Sequence, residues 1–265
     1  MFVFNYVTNV YILRLLNKLM GERLISSGLR SPGLLGRKPI IGLLMFIFGS
    51  LVFAIIAYNV VNQGPLIKYD LPIAESLHTL ALKSSPLVID IMLAGYPIGL
   101  YGVAIIAIIL GLYFLCKKFW LELVMVSIPL AFGGLMFRFI SKIFMRPRPF
   151  HLFDNQTWPT SPDIPGFPSG HALSIIVSMG FLTYLLLPKI KSSLGKVLVV
   201  LFTSLMVIYI GFARLYVGDH YLSDIIAGYA VGIAWSGLAY TSIELLFQMH
   251  YLRKEKLNHG KRSHK

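Results

Sequence analysis

Three short clusters of basic and polar residues carry the chemistry of this sequence. The first reads Lys142-Ile-Phe-Met-Arg-Pro-Arg-Pro149. Its prolines end a helix and favour extended backbone, so Arg146 and Arg148 point in alternating directions. A guanidinium donates two parallel hydrogen bonds to phosphate oxygens, which makes this cluster a candidate anion site. The alternative is a set of cations that only reach toward a membrane surface.

The second cluster is Pro168-Ser-Gly-His171, directly before an apolar segment. A helix N-terminus presents unpaired N–H groups and the positive end of the helix dipole, and both attract anions. Gly170 allows a ligand to approach the backbone, while Ser169 offers a hydroxyl and also suits an N-cap. His171 then lies on the first helical turn, beside a bound anion. A capped helix with an interfacial histidine is the alternative.

The third cluster extends from Arg214 to Asp224 and contains His220. His220 and Asp224 are four residues apart, so they share one face of a helix that begins here. A carboxylate on one imidazole nitrogen fixes the tautomer and leaves the other nitrogen as a nucleophile or base. An ordinary pair of side chains at a helix start is the alternative.

Together the clusters contain the groups that in-line phosphoryl transfer through a phosphohistidine needs. Arginines and a lysine neutralise the phosphoryl oxygens, one histidine attacks phosphorus, and the other protonates the leaving oxygen. The sequence has no cluster of Asp and Glu residues that would indicate a metal site.

The elements that position these clusters are predicted membrane spans. Hydrophobic residues make up 56% of the chain and charged residues 13%, against about 25% charged residues in soluble domains. Six segments are long and apolar enough for a span of about 20 residues. They are 40–61, 88–115, 120–141, 170–187, 196–213 and 222–247. The sequence therefore predicts an all-α, polytopic membrane bundle of six transmembrane helices.

Basic residues are distributed unevenly between the two sides of these spans. Seventeen of the 24 Lys and Arg residues lie in 1–39, 116–119, 188–196 and 248–265. Because such residues collect in cytoplasmic loops, we predict that both termini are cytoplasmic and that the three clusters face the extracytoplasmic side of the cell membrane. The net charge of +13 is therefore explained by membrane topology, and no nucleic-acid partner is expected.

Three regions follow from this topology. Residues 1–39 form a cytoplasmic segment whose start is predicted as an interfacial helix, because it is apolar and aromatic with late basic residues. Residues 40–247 form the six-helix domain, and 248–265 a basic cytoplasmic tail. The loop 150–167 is rich in aromatic residues and prolines, and we hypothesise that its aromatic side chains, including Phe153 and Trp158, shape a lipid entrance.

The motifs and their order resemble the type-2 phosphatidic acid phosphatase superfamily. The shared pattern is an Arg-Pro element, then Pro-Ser-Gly-His, then Arg-x5-His-x3-Asp, and the resemblance covers about 40–247. Size and layout are most similar to the bacterial six-span branch, which includes phosphatidylglycerophosphate and undecaprenyl-diphosphate phosphatases. The resemblance implies that His220 is the nucleophile, that Asp224 orients it, and that His171 is the general acid. It further implies catalysis without a metal or other cofactor, and a phosphate-binding set made of Arg148, Ser169, Gly170 and Arg214.

The first motif departs from the family pattern by one residue. Family members usually have six residues between the lysine and the Arg-Pro pair, whereas Lys142 and Arg148 are separated by five, and Ser141 takes the usual lysine position. One residue rotates a helical side chain by about 100°. Lys142 has a long stem that can still reach, so it stays in the predicted phosphate-binding set.

The resemblance implies a membrane phosphatase that hydrolyses a phosphomonoester or diphosphate of a lipid through a phosphohistidine. Phosphatidate, phosphatidylglycerophosphate and undecaprenyl diphosphate all fit, and the expected partners are this substrate and the surrounding membrane lipids. A lipid phosphotransferase that uses the same histidine is the first alternative. A transporter and an inactive scaffold are further alternatives, although charges at helix ends instead of span centres argue against transport.

Overall fold

The computed structural model of the chain describes residues 39–118, 120–152 and 165–263, which form eight α-helices and no strand. The helices are α1 Pro39–Val61, α2 Asp70–Leu82, α3 Pro86–Pro97, α4 Val103–Cys116, α5 Trp120–Phe144, α6 Gly170–Leu186, α7 Ser193–Tyr216 and α8 Leu222–Ser263. Short 3₁₀ turns lie at Pro65–Tyr69, Pro149–Leu152 and Leu187–Lys189. The predicted interfacial helix in 1–39 and the side chains of Phe153 and Trp158 lie outside the described residues.

Five helical stretches are long and apolar enough to cross a membrane. They are Pro39–Val61, Pro86–Cys116, Gly170–Lys189, Ser193–Tyr216 and Leu222–Leu245. They coincide with five of the six predicted spans, so the all-helical membrane architecture is confirmed to that extent. The remaining segment, 120–141, lies within the 25-residue helix α5, and its membrane crossing stays a prediction. Helix α8 continues to Ser263, into the predicted basic tail.

The second predicted span is irregular near its middle. Pro97 ends α3, and a π-helical turn, Ile98–Gly102, leads into α4. Proline lacks the N–H group that would continue the hydrogen-bond ladder, and π-helical turns relieve such interruptions. The irregular segment packs against α7, because a Cβ atom at Gly95 would lie 2.6 Å from the Cβ atom of Ala213.

Helix α6 is packed between α7 and α8. Leu173 and Val177 share an apolar cluster with Val231 of α8, while Ile175 packs with Ile210 of α7. The short turn Leu187–Lys189 returns the chain, so the end of α7 comes back to the start of α6. The packing of α6 against α8 places the start of α8 beside the start of α6, at the same end of the bundle.

Helix α1 lies against α8 through small residues. A Cβ atom at Gly49 would lie 2.5 Å from the carbonyl oxygen of Ala230, and one at Gly237 would lie 2.6 Å from the amide nitrogen of Phe46. Small residues allow two backbones to approach this closely within a membrane. The contact holds α8, whose first turn lies in the candidate site, against the first helix of the bundle.

Candidate active site

The three sequence clusters meet at one end of the helix bundle, as their order predicts. The amide of Gly166 donates to the carbonyl of Arg146 at 2.7 Å, and the amide of Ser169 donates to the carbonyl of Asp224 at 2.9 Å. A third backbone hydrogen bond, 3.1 Å long, runs from Phe150 to Gly218. These bonds join the segment after α5, the start of α6 and the α7–α8 connection into one site.

His220 is at the centre of this site and is only 1% exposed. Its Nδ1 atom lies 2.8 Å from the carbonyl oxygen of Gly166. A carbonyl oxygen can only accept a hydrogen bond, so Nδ1 carries the proton and Nε2 carries the lone pair. This tautomer leaves Nε2 available as a nucleophile.

The carboxylate of Asp224 does not form the hydrogen bond to His220 that the four-residue spacing suggested. Its Oδ2 atom is 3.8 Å from Nδ1 and instead accepts from the amide of Tyr221 at 2.9 Å. The reason is that α8 begins at Leu222, so His220 precedes the helix and the two side chains do not share a helical face. The carbonyl of Gly166 takes the orienting position, and no feature of the local sequence indicated it.

Burial lowers the pKa of His220 to about 3, and the positive charge of Arg148 contributes in the same direction. Removing an imidazole from water disfavours its charged form, and a nearby cation adds repulsion. His220 is therefore neutral at physiological pH, which is the state that a nucleophilic nitrogen requires.

This shift in the pKa of His220 predicts a loss of stability in acid. The unfolded chain binds a proton at His220 below its ordinary pKa of about 6.5, whereas the folded chain does so only near pH 3. Stability is thus fully present above pH 6.5 and falls with decreasing pH, by about 2 kcal/mol at pH 5. Melting temperatures in detergent should fall more for the wild type than for His220→Asn between pH 7 and pH 5. Equal losses in the two proteins would contradict the prediction.

Arg146 is occupied by carboxylates. Its Nη1 atom donates to Asp224 Oδ1 at 2.5 Å and to the hydroxyl of Ser223 at 2.7 Å, and its Nη2 atom donates to Asp70 Oδ2 at 2.7 Å. Burial alone would lower the pKa of Arg146, but the carboxylates of Asp224 and Asp70 outweigh it and raise the pKa. Arg146 therefore links two aspartates, one from α2 and one from α8.

Asp70, the first residue of α2, was not identified from the sequence. It is buried, and its carboxylate accepts from the amide of Ser223 at 3.0 Å and from the hydroxyl of Ser223 at 2.5 Å. It thereby satisfies a free N–H group at the start of α8, as a cap supplied by another helix. The only sequence signal for such a residue is general: buried arginines need carboxylate partners.

Arg148 and Arg214 share a different carboxylate, that of Asp219. Arg214 Nη1 donates to Asp219 Oδ2 at 2.7 Å, and Arg148 Nη1 lies 3.5 Å from Oδ1. Arg148 Nη1 also donates to the backbone carbonyl of Asp219 at 3.3 Å, and Arg214 Nη2 donates to the carbonyl of Met92 at 3.2 Å. The two arginines predicted to bind phosphate are thus brought together, on a carboxylate that sequence reasoning missed.

His171 lies on the first turn of α6, as predicted, and faces Tyr96. The two rings are 5.0 Å apart, and the guanidinium carbon of Arg214 lies 5.5 Å from the centre of the Tyr96 ring. His171 Nε2 is buried, with no hydrogen-bond partner among the residues that the structure describes. An imidazole nitrogen so placed, within electrostatic range of His220, suits proton transfer to or from a ligand.

Ser169 and Gly170 form the start of α6. Ser169 is the N-cap, because its hydroxyl accepts a 3.3 Å hydrogen bond from the amide of Ala172. A Cβ atom at Gly170 would lie 3.1 Å from the ring of Phe137. A larger residue at this position would therefore crowd an aromatic ring, which is a packing reason for glycine in addition to the ligand approach inferred from the sequence.

Lys142 lies apart from the buried groups. Its side chain is exposed on the last turn of α5, whereas the neighbouring Ser141 is buried. Neighbouring helical residues point in directions about 100° apart. The one-residue shift in the first motif therefore places Ser141 inward and Lys142 outward. Within the described ranges, no group of three or more His, Cys, Asp or Glu side chains could hold a metal ion.

The chain is similar to known proteins in sequence and in fold. Residues 118–247, which contain all three clusters, match the model of the PAP2 superfamily. The fold is similar to the crystal structure of a transmembrane PAP2-type phosphatidylglycerolphosphate phosphatase from Bacillus subtilis. The TM-score is 0.59 and the identity 21%, over 75% of this chain and 93% of that chain.

At this level of identity the similarity establishes a shared fold. None of the curated proteins compared with the chain matches it. The family resemblance predicted from the three motifs is confirmed by the match of residues 118–247 to the model of the PAP2 superfamily.

Proposed function

We propose that this protein is a membrane lipid phosphatase that hydrolyses a phosphomonoester or diphosphate through a phosphohistidine formed on His220. The observation that supports it most is the hydrogen bond between His220 Nδ1 and the carbonyl of Gly166. It directs the lone pair to Nε2, in a site that also contains two arginines and a second histidine. These groups satisfy the requirements of in-line displacement at phosphorus.

The distribution of charge supports an assignment of the phosphoryl-binding groups. Arg146 faces two carboxylates, from Asp70 and Asp224, so that group carries a net negative charge. Arg148 and Arg214 share the single carboxylate of Asp219, so that group carries a net positive charge. An anionic substrate is attracted to the second group, and we assign phosphate binding to Arg148 and Arg214, with Ser169 and Gly170 at the start of α6.

The reaction then has two displacement steps. His220 Nε2 attacks phosphorus, the bond from phosphorus to the lipid oxygen breaks, and His171 donates a proton to that oxygen. Water next attacks the phosphohistidine while His171 accepts its proton, and inorganic phosphate leaves. Neither step requires a metal ion, so we propose that the enzyme is metal-independent. Asp224 would support His220 indirectly, through Arg146 and the first turn of α8.

The substrate class is a lipid phosphate at the level of the headgroups. Phosphatidate, phosphatidylglycerophosphate and undecaprenyl diphosphate are candidates. Of these, phosphatidylglycerophosphate is favoured slightly, because the similar solved structure is that of a phosphatidylglycerolphosphate phosphatase. We further propose that the site faces the extracytoplasmic side, because most Lys and Arg residues lie in the segments at the other ends of the predicted spans.

The function is tested with purified protein in detergent micelles that contain each of the three lipids. We expect phosphate release from at least one lipid, unchanged by EDTA and absent from His220→Ala. A requirement for added metal would overturn the mechanism. Phosphate transfer that occurs only in the presence of a lipid or sugar acceptor would show that the protein is a phosphotransferase.

A further inference from the structure

The carboxylate of Asp219 lies where the phosphate-binding guanidiniums converge. It is 3% exposed, with Oδ2 at 2.7 Å from Arg214 Nη1 and Oδ1 facing Arg148 Nη1 at 3.5 Å. Arg148 and Arg214 are buried as well and come from different parts of the chain. One oxygen for each guanidinium resembles the arrangement by which two arginines bind the oxygens of a phosphoryl group.

This arrangement has an electrostatic consequence for any bound phosphate. Two buried guanidiniums repel each other, and the carboxylate of Asp219 compensates for this repulsion in the free site. A phosphate that binds Arg148 and Arg214 must share them with a negative charge in a poorly screened environment. Asp219 therefore opposes phosphate binding while it holds the two arginines together.

We propose that Asp219 is a positioning residue that acts as an internal counter-anion: it keeps Arg148 and Arg214 in place for the substrate and lowers the affinity of the site for inorganic phosphate, so that the product leaves quickly. This inference rests on the proposed function and adds to it the control of product release. Asp219 thus has a different proposed role from Asp70 and Asp224, whose carboxylates form ion pairs with Arg146.

The test is the substitution Asp219→Asn, which keeps the shape and one acceptor oxygen for Arg214 but removes the charge. Calorimetric titration with inorganic phosphate should show about tenfold tighter binding, as expected for the loss of one nearby like charge. KM and kcat for the lipid should fall together, because the substrate binds more tightly and the product leaves more slowly. Asp219→Glu, which keeps the charge, should bind phosphate more weakly than Asp219→Asn.

Asp90→Asn is the matched control. Asp90 is exposed on α3, so the same loss of charge there should leave phosphate affinity and kcat unchanged. Weaker or unchanged phosphate binding by a folded Asp219→Asn protein, with a melting temperature near that of the wild type, would overturn the proposal. It would show that Asp219 only holds the α7–α8 connection in place.

A second measurement needs only the wild-type protein, in case the variant does not fold. Infrared difference spectra of protein labelled with ¹³C-aspartate should show a shifted carboxylate stretching band when inorganic phosphate saturates the site, because Asp219 must then share its arginines. An unchanged band would overturn the proposal. Both measurements use the binding of inorganic phosphate and need no turnover. A wild-type protein without activity would count against the proposed function, whereas the binding measurements would still test the role of Asp219.

Discussion

Replacing His220 with asparagine should lower the rate of phosphate release from the lipid about 10⁴-fold or more, since the variant has no nucleophilic nitrogen. Asparagine can still donate a hydrogen bond toward the carbonyl of Gly166, which now accepts from Nδ1 at 2.8 Å. The fold and the affinity for inorganic phosphate should therefore change little, because in the proposed site phosphate is bound by Arg148 and Arg214. The measurement is the single-turnover rate, with phosphate affinity determined in parallel.

The control for His220→Asn is His78→Asn. His78 lies in the middle of α2 and has no role in the proposed reaction, so this variant should keep wild-type activity. A folded His220→Asn protein that retained more than about a hundredth of the wild-type rate would rule out nucleophilic catalysis by His220.

Replacing His171 with asparagine should lower the rate about 10²- to 10⁴-fold for a lipid phosphate, because an alkoxide is a poor leaving group without an acid. The loss should be much smaller for the first displacement with an aryl phosphate, because a phenolate leaves without protonation. In the proposed mechanism the second displacement needs His171 as a base, so the phosphohistidine should accumulate when the variant is given the aryl substrate.

The two effects of His171→Asn are separated by rapid-quench kinetics. A burst of phenolate, followed by slow release of phosphate, is the expected result with the aryl substrate. An equal loss in the first displacement for alkyl and aryl phosphates would contradict the assignment of His171 as the general acid. It would leave His171 as a group that only packs against Tyr96, whose ring is 5.0 Å away.

The sequence predicted the parts of the structure that depend on local composition and order. Long apolar segments must form helices in a membrane, where every backbone polar group needs an internal partner, and five predicted spans agree with the helices found. The convergence of Arg148, His171 and His220 was also predicted, because their motifs lie at the same ends of successive spans.

The partners within the site were harder to predict, because they depend on tertiary packing. Asp70 reaches Arg146 from 76 residues away and Gly166 reaches His220 from 54 residues away, and neither residue belongs to a recognisable spacing. The expected bond between Asp224 and His220 assumed a helix that includes both residues. Since α8 begins only at Leu222, the chain before it places the imidazole against a backbone carbonyl.

Asp219 shows a further limit of reading motifs residue by residue. It stands next to His220 in the sequence, yet its importance is apparent only when the charges of the buried groups are compared. Arg148 and Arg214 are 66 positions apart in the chain and share its carboxylate. The sequence identified the arginines of the site, and the folded structure shows that Arg146, Arg148 and Arg214 each already have an anionic partner.

The most direct test of the proposed mechanism is to trap the covalent intermediate. The protein is mixed with a ³²P-labelled lipid phosphate, quenched in alkali within milliseconds, digested and mapped by mass spectrometry. The proposed mechanism predicts an alkali-stable, acid-labile phosphoryl group on Nε2 of His220, absent from His220→Asn. Label on any other residue, or steady turnover with no labelled protein in single-turnover experiments on the wild type and on His171→Asn, would contradict it.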